Sequence, residues 1–208
     1  MRFTVAFVLA LGLVGCGQHV DPTMNQQMNQ AADYPPGPYG YVTGSVIQNI
    51  DFVGKNATGD TTATDYRTLP MQNVSLADFH NDPSVKYVVL SGVAGWCGPC
   101  NDEQKQVPTL QATYQPKGFR FFEAMIQGYN EMSGAPATEA DLNEWQSFHS
   151  MPMAPFTVGL GLDPEDKIHQ YADIAAFPLN MVVRTSDMQI VHMQVGEESL
   201  DSVLSSLP

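Results

Sequence analysis

Apolar residues in this chain come in short runs separated by polar, Gly- and Pro-rich breaks, and the spacing changes from run to run. Lys86 to Val93, with Tyr87-Val88-Val89-Leu90 at its centre, is apolar at successive positions and predicts a strand buried on both faces. Gly98 to about Tyr114 reads as a helix, and Phe119 to Ile126, after Gly118, as a second strand. Thr138-Glu139-Ala140-Asp141 has capping-box spacing and opens a helix to about His149, with Leu142, Trp145 and Phe148 on one face. Phe156 to Leu160 predicts a short strand, and Pro164 suits the first turn of a helix to about Ala172. Leu179 to Arg184 and Gln189 to Val195 are strands joined by the turn Thr185-Ser186-Asp187. Glu197 to Leu207 is a final helix, with acids in the first turn where the helix dipole favours them. Strand–helix alternation followed by a hairpin and a helix predicts an α/β sandwich on a mixed sheet.

The N-terminal third is patterned differently. Val42 to Ile50, with Phe52 and Val53, reads as an early strand or hairpin, and residues 54–68 as a Thr/Gly/Asp-rich loop. Val74 to Phe79 reads as a short strand or turn leading into the core. Residues 17–40 are polar, then Pro/Gly-rich, and cannot bury enough apolar surface to fold alone, so they are expected to act as a tether. Phe3 to Val14 is shorter than the ~20 residues of a lasting membrane span. Behind Arg2 it fits the apolar region of a secretory signal peptide. It ends in Leu13-Val14-Gly15-Cys16, which resembles the bacterial lipobox. That resemblance implies cleavage after residue 15 and a lipid on Cys16; the alternative is an ordinary signal peptide with an incidental cysteine. The expected division is a signal peptide over 1–15, a lipidated tether over 16–40 and one globular domain over 41–208, its core at about 74–208.

Composition narrows the partners. The 208 residues carry 22 Asp+Glu against 9 Lys+Arg, a net charge of −13. Such a surface repels nucleic acid and anionic headgroups, and the acids are scattered as in a solubilising surface. Three cysteines are an odd count for an exported chain; giving Cys16 to lipid leaves Cys97 and Cys100.

The candidate chemistry is Trp96-Cys97-Gly98-Pro99-Cys100, at the junction of a predicted strand and a predicted helix. Cysteines spaced C-x-x-C there can close a small disulfide ring, or one can become a good nucleophile. Tetrahedral zinc would need two more ligands, and His80, His149, His169 and His192 show no paired spacing.

That motif after a buried strand, with Phe177-Pro178 before a later strand, resembles the thioredoxin fold. With Cys16, with Glu103 three residues after Cys100, and with the extra helix and strand at 138–160, the chain resembles the TlpA/ResA branch of membrane-anchored thiol–disulfide oxidoreductases. The resemblance covers roughly residues 74–208. It implies a central mixed β-sheet flanked by helices, with an N-terminal β extension and a helix–strand insertion. It makes Cys97 the nucleophile at a helix N-terminus, shielded on one side by Trp96, and Cys100 the resolving thiol. Gly98 and Pro99 complete the motif, Pro99 being tolerated in a first helical turn. Glu103 would assist proton transfer, and Pro178 would be a cis-proline whose neighbour Phe177 pairs with extended substrate backbone.

The resemblance implies no cofactor beyond the Cys97–Cys100 pair. The implied partners are disulfide-containing clients such as apocytochromes c and a membrane thiol donor, with the protein a monomer anchored facing the periplasm. Gly98-Pro99 is the dipeptide of reducing thioredoxins and implies a reductant. The chain departs from thioredoxins at Ser91, where they carry a buried Asp, at Gly92-Val93, at Phe177 and Leu179 around the proline, and at Pro108, eight residues after Cys100. The rival readings are a peroxiredoxin-like thiol peroxidase and a non-catalytic module that keeps the disulfide as a staple.

Overall fold

The structure, a computed structural model, describes residues 34–55, 66–130, 134–149, 159–172 and 176–208. The predicted signal peptide, Cys16 and most of the tether therefore lie outside the described residues, as do 56–65 and 151–158.

Among the described residues, seven strands form one sheet in the order β2-β1-β5-β4-β3-β6-β7. They are β1 (Asp51–Lys55), β2 (Gln72–Ser75), β3 (Tyr87–Ala94), β4 (Phe119–Gln127), β5 (Gly159–Leu162), β6 (Leu179–Arg184) and β7 (Gln189–Val195). The helices are α1 (Leu76–His80), α2 (Gly98–Gln104), α3 (Val107–Tyr114), α4 (Glu139–Phe148), α5 (Lys167–Ala172) and α6 (Leu200–Ser205). β3, β4 and β5 run parallel; β6, β7, β1 and β2 are added antiparallel. The sheet is mixed, as the alternation predicted.

β3 is buried at all eight positions, because both faces of the sheet are covered. Val89 and Val93 meet Leu110 of α3, Trp145 of α4 and Leu204 of α6 on one face. Val88 and Leu90 meet Phe79 of α1 and Ile168 of α5 on the other.

The antiparallel β3–β6 register, with Gly92 opposite Leu179, fixes the site. It brings the start of β6, and Phe177-Pro178 just before it, beside the end of β3 where Cys97 follows.

Several elements differ from expectation for local reasons. The single helix predicted over 98–114 is two, α2 and α3. Pro108 has no N–H for the Gln104 carbonyl and its ring clashes there, so α2 stops at Gln104. Val74 to Phe79 is the end of a strand and then a helix. Ser75 caps α1, its N–H donating to Asp78 Oδ2 at 2.7 Å. The helix expected from Pro164 starts at Lys167, where Asp163 accepts from the N–H groups of Lys167 and Ile168. The final helix starts at Leu200 rather than Glu197, and the Glu198 N–H ahead of it donates to Glu103 at 3.2 Å. The Thr138 capping box is present, but Phe148 is 70 % exposed and does not share the buried face of Leu142 and Trp145.

The segment before β1 is not a hairpin. Residues 44–47 lie along the outer edge of β7: Gly44 N–H donates to Ile190 O, Ile190 N–H to Ser45 O, and Ile47 N–H to Met188 O. This covers part of an edge that would otherwise present unpaired backbone groups. Tyr34, expected in the tether, is buried, with its hydroxyl donating to Ile47 O at 2.9 Å. The domain therefore begins earlier than Tyr41.

Gly54 of β1 passes so close to β5 that an added Cβ would run into the Leu160 carbonyl oxygen. Gly54→Ala is expected to destabilise the fold by about 1–3 kcal/mol, read as a lower urea midpoint with unchanged slope. An unchanged midpoint would contradict the close β1–β5 pairing.

Candidate active site: a dithiol above a buried carboxyl

Cys97 is the N-cap of α2, in extended conformation, and its Sγ accepts from the Cys100 N–H at 3.1 Å. The two cysteines are joined as a disulfide and both are buried. Unpaired N–H groups at this helix end favour negative charge on Cys97 when the bridge is open. Gly98 and Pro99 are exposed above it.

Trp96 is 37 % exposed, its Nε1–H donating to Gln127 Oε1 at 2.9 Å. Its ring stands edge-on to Phe177, with centroids 5.6 Å apart, and Phe177 in turn rests against His169 at 4.6 Å. The Phe177–Pro178 peptide is cis. A groove of about 580 Å³ is lined by Trp96, Cys97, Gly98, Pro99, Gln127, Ala176 and Phe177. The structure thus brings together the motif residues and Phe177 at one opening.

Glu103 lies one turn beyond Cys100 on α2 and is only 4 % exposed. It is not a solvated surface residue beside Asp102. Asn180 Nδ2 donates to both of its carboxyl oxygens at 2.8 Å, and the Glu198 N–H to Oε2 at 3.2 Å. Ser91 Oγ–H donates to Asn180 Oδ1 at 2.7 Å and so orients the amide. Burial pushes the Glu103 carboxyl up from 4.5 to about 7; its N–H donors oppose this, and the nearby Glu198 and Glu197 carboxylates reinforce it.

Ser91 pairs in register with Asn180 of β6 and with Glu123 of β4. Register partners share a face, so the three side chains form a polar stripe across the sheet beneath α2. Ser91, at the position where thioredoxins carry their buried acid, is therefore part of the support of an acid delivered from the helix instead.

The lip of the site is tied to the inserted helix. Asn101 Nδ2 donates to the carbonyls of Gly95 and Cys97 at 3.2 and 2.7 Å. Its Oδ1 lies 3.0 Å from His149 Nε2 at the end of α4. Burial, with Lys105 nearby, holds His149 down at about 4, so the ring is neutral at pH 7 and Nε2–H is the donor.

Sequence reasoning missed Asn180, Asn101, Gln127 and Glu123. Asn180 and Glu123 did leave a signal: each is a polar residue flanked by apolar ones inside a strand run, Met181-Val182-Val183 following the first and Phe121-Phe122 and Ala124-Met125-Ile126 enclosing the second, and such a residue needs a partner. Among the described residues, no group of three or more His, Cys, Asp and Glu is placed to hold a metal ion.

No family model and no curated protein sequence matches the chain. Solved structures do. The thioredoxin domain of a thiol-disulfide oxidoreductase from Bacteroides vulgatus aligns at 18 % identity and TM-score 0.56, over 79 % of this chain and 96 % of that one. A reduced 2-Cys peroxiredoxin from Plasmodium vivax aligns at 12 % and 0.56, over 79 % and 93 %. The exposed lipoprotein thioredoxin Etrx1 of Streptococcus pneumoniae aligns at 15 % and 0.51, over 76 % and 96 %. At these identities the likeness establishes the thioredoxin fold.

The raised Glu103 carboxyl has a consequence for stability. The unfolded chain releases this proton near 4.5 and the folded chain keeps it to about 7, so stability falls as pH rises through that window. Unfolding of the disulfide form should show wild type losing stability relative to Glu103→Gln between about pH 4.5 and 7, with parallel curves above. A difference independent of pH would contradict the burial of this group.

Proposed function

We propose that the protein is an extracytoplasmic, membrane-anchored thiol–disulfide oxidoreductase that reduces disulfides of client proteins. The observation that carries this reading is the Cys97–Cys100 pair at the start of α2, opening on a groove in front and standing over buried Glu103 behind.

In the reducing direction the Cys97 thiolate attacks one sulfur of a client disulfide. A mixed disulfide forms and the other client sulfur leaves as a thiolate. Cys100 then gives its proton to the Glu103 carboxylate and attacks Cys97 Sγ. The Cys97–Cys100 bond closes, and the second client sulfur leaves as a thiolate that takes a proton from water. Two electrons have passed to the client, and a thiol donor must return them. Trp96 and Phe177 flank the entering chain, and the Phe177 backbone pairs with it.

Anchoring is supported by the apolar segment ending in Leu13-Val14-Gly15-Cys16, and the reducing direction by Gly98-Pro99. Apocytochromes c are the client class implied by the TlpA/ResA resemblance.

The protein is expected to reduce insulin with dithiothreitol as donor, and Cys97→Ser to abolish that activity. Its midpoint potential should lie nearer thioredoxin's (about −270 mV) than a strong oxidant's (about −120 mV). Activity unaffected by Cys97→Ser would sink the enzyme reading, and a potential near the oxidant value would reverse its direction.

A further inference from the structure

The exchange reaction leaves one buried ionisable side chain of the polar stripe, Glu123, without a task. It projects from β4 beneath α2, buried, and its Oε2 accepts from Trp145 Nε1–H at 2.6 Å. The Gln104 side chain lies beside it, but the Gln104 amide nitrogen makes no well-formed hydrogen bond. β3 presents Ser91 and β5 presents Leu160 at its register positions, and α4 presents Trp145. The charged group acting on it is Glu103 on α2, joined by the Cys100 thiol of the same helix once the disulfide is reduced; the buried Lys55 ammonium of β1, opposite Leu160 one strand further along the row, is held by Glu139 and Asn143 of α4.

Two carboxylates in a stripe closed to water, with the Lys55 ammonium already taken by Glu139, cannot both ionise without large cost. Hydrogen bonds to the anion decide which one carries the charge. Glu103 receives the Asn180 amide on both oxygens and the Glu198 N–H on one. Glu123 receives the single well-formed bond from Trp145.

We propose that Glu123 is the proton-holding partner of Glu103, a positioning residue that keeps the stripe at one negative charge and ties that state to the inserted helix through Trp145. Burial pushes its carboxyl up to about 8, above the value of about 7 at Glu103, which is the same order. When Cys100 gives its proton to Glu103, one charge moves from oxygen to sulfur and no second carboxylate repels the new thiolate. That consequence rests on the exchange function proposed above; the coupled titration itself does not.

The chain has two tryptophans, Trp96 and Trp145, so in a Trp96→Phe background the indole emission belongs to the residue bonded to Glu123. In the disulfide form that emission should titrate with a midpoint near 8. Adding Glu123→Gln should abolish the titration, and adding Glu103→Gln should move it down by about one unit, since each macroscopic value belongs to the pair. Emission flat across that range, a titration that survives Glu123→Gln, or a midpoint unmoved by Glu103→Gln would overturn the proposal. Should Glu123→Gln fail to fold, the carboxyl infrared band of the wild-type protein decides. A protonated carboxyl that outlasts the ionisation near 7 and ionises around 8 supports the pair, and a carboxyl signal gone once the step near 7 is complete overturns it. Neither readout needs turnover, so a chain inactive on insulin but titrating as described would defeat the proposed function and leave this inference standing.

Discussion

A carboxyl group enclosed beneath a helix has to be solvated by the protein, since water cannot reach it, and an unsolvated buried charge costs several kcal/mol. Glu103 meets that requirement with the Asn180 amide from β6 and the Glu198 N–H from the approach to α6. The Asn180 donor depends on the β3–β6 register, because a slip of one residue would turn its side chain to the opposite face. The same register sets Pro178, two residues before Asn180, beside the end of β3. The bonds that hold the acid behind the dithiol are thus inseparable from those that shape the groove in front of it.

The other half of the site depends on the inserted helix. Trp145 of α4 reaches Glu123 on the floor of the stripe, and His149 at its end reaches Asn101 at the lip. Asn101 in turn holds the carbonyls on either side of Trp96. α4 is anchored from behind by Lys55 of β1, whose buried ammonium meets Glu139 Oε1 at 2.8 Å and Asn143 Oδ1 at 3.1 Å. The N-terminal extension therefore supports the insertion as well as covering the β7 edge. A thioredoxin fold also carries peroxidase chemistry, as the Plasmodium vivax likeness shows, so architecture alone does not choose the reaction. The choice rests on the C-x-x-C pair and the acid beneath it.

What could be read without coordinates follows from range of interaction. β6 and β7 were legible to the residue, because a tight turn separates two dense apolar runs. Cys97, Cys100 and Glu103 share one short segment, so their spacing alone placed them on one helix. Asn180 and Glu123 belong to strands far apart in sequence, and their meeting across β3 is a matter of register that no local pattern records. Helix limits failed where a single residue decided them: Pro108 split one helix, and Asp163 delayed another. Residues 42–50 failed because their partner is the edge of β7, almost 150 residues downstream by the Gly44–Ile190 pairing.

The central claim is that buried Glu103 takes the Cys100 proton during resolution of a mixed disulfide, and single-turnover release of a labelled thiol from Cys97 measures that step. In wild type the rate should rise with pH through about 7 as the Glu103 carboxyl ionises, and in Glu103→Gln it should be slower with that rise absent. Equal rates and equal pH profiles in the two proteins would contradict the account.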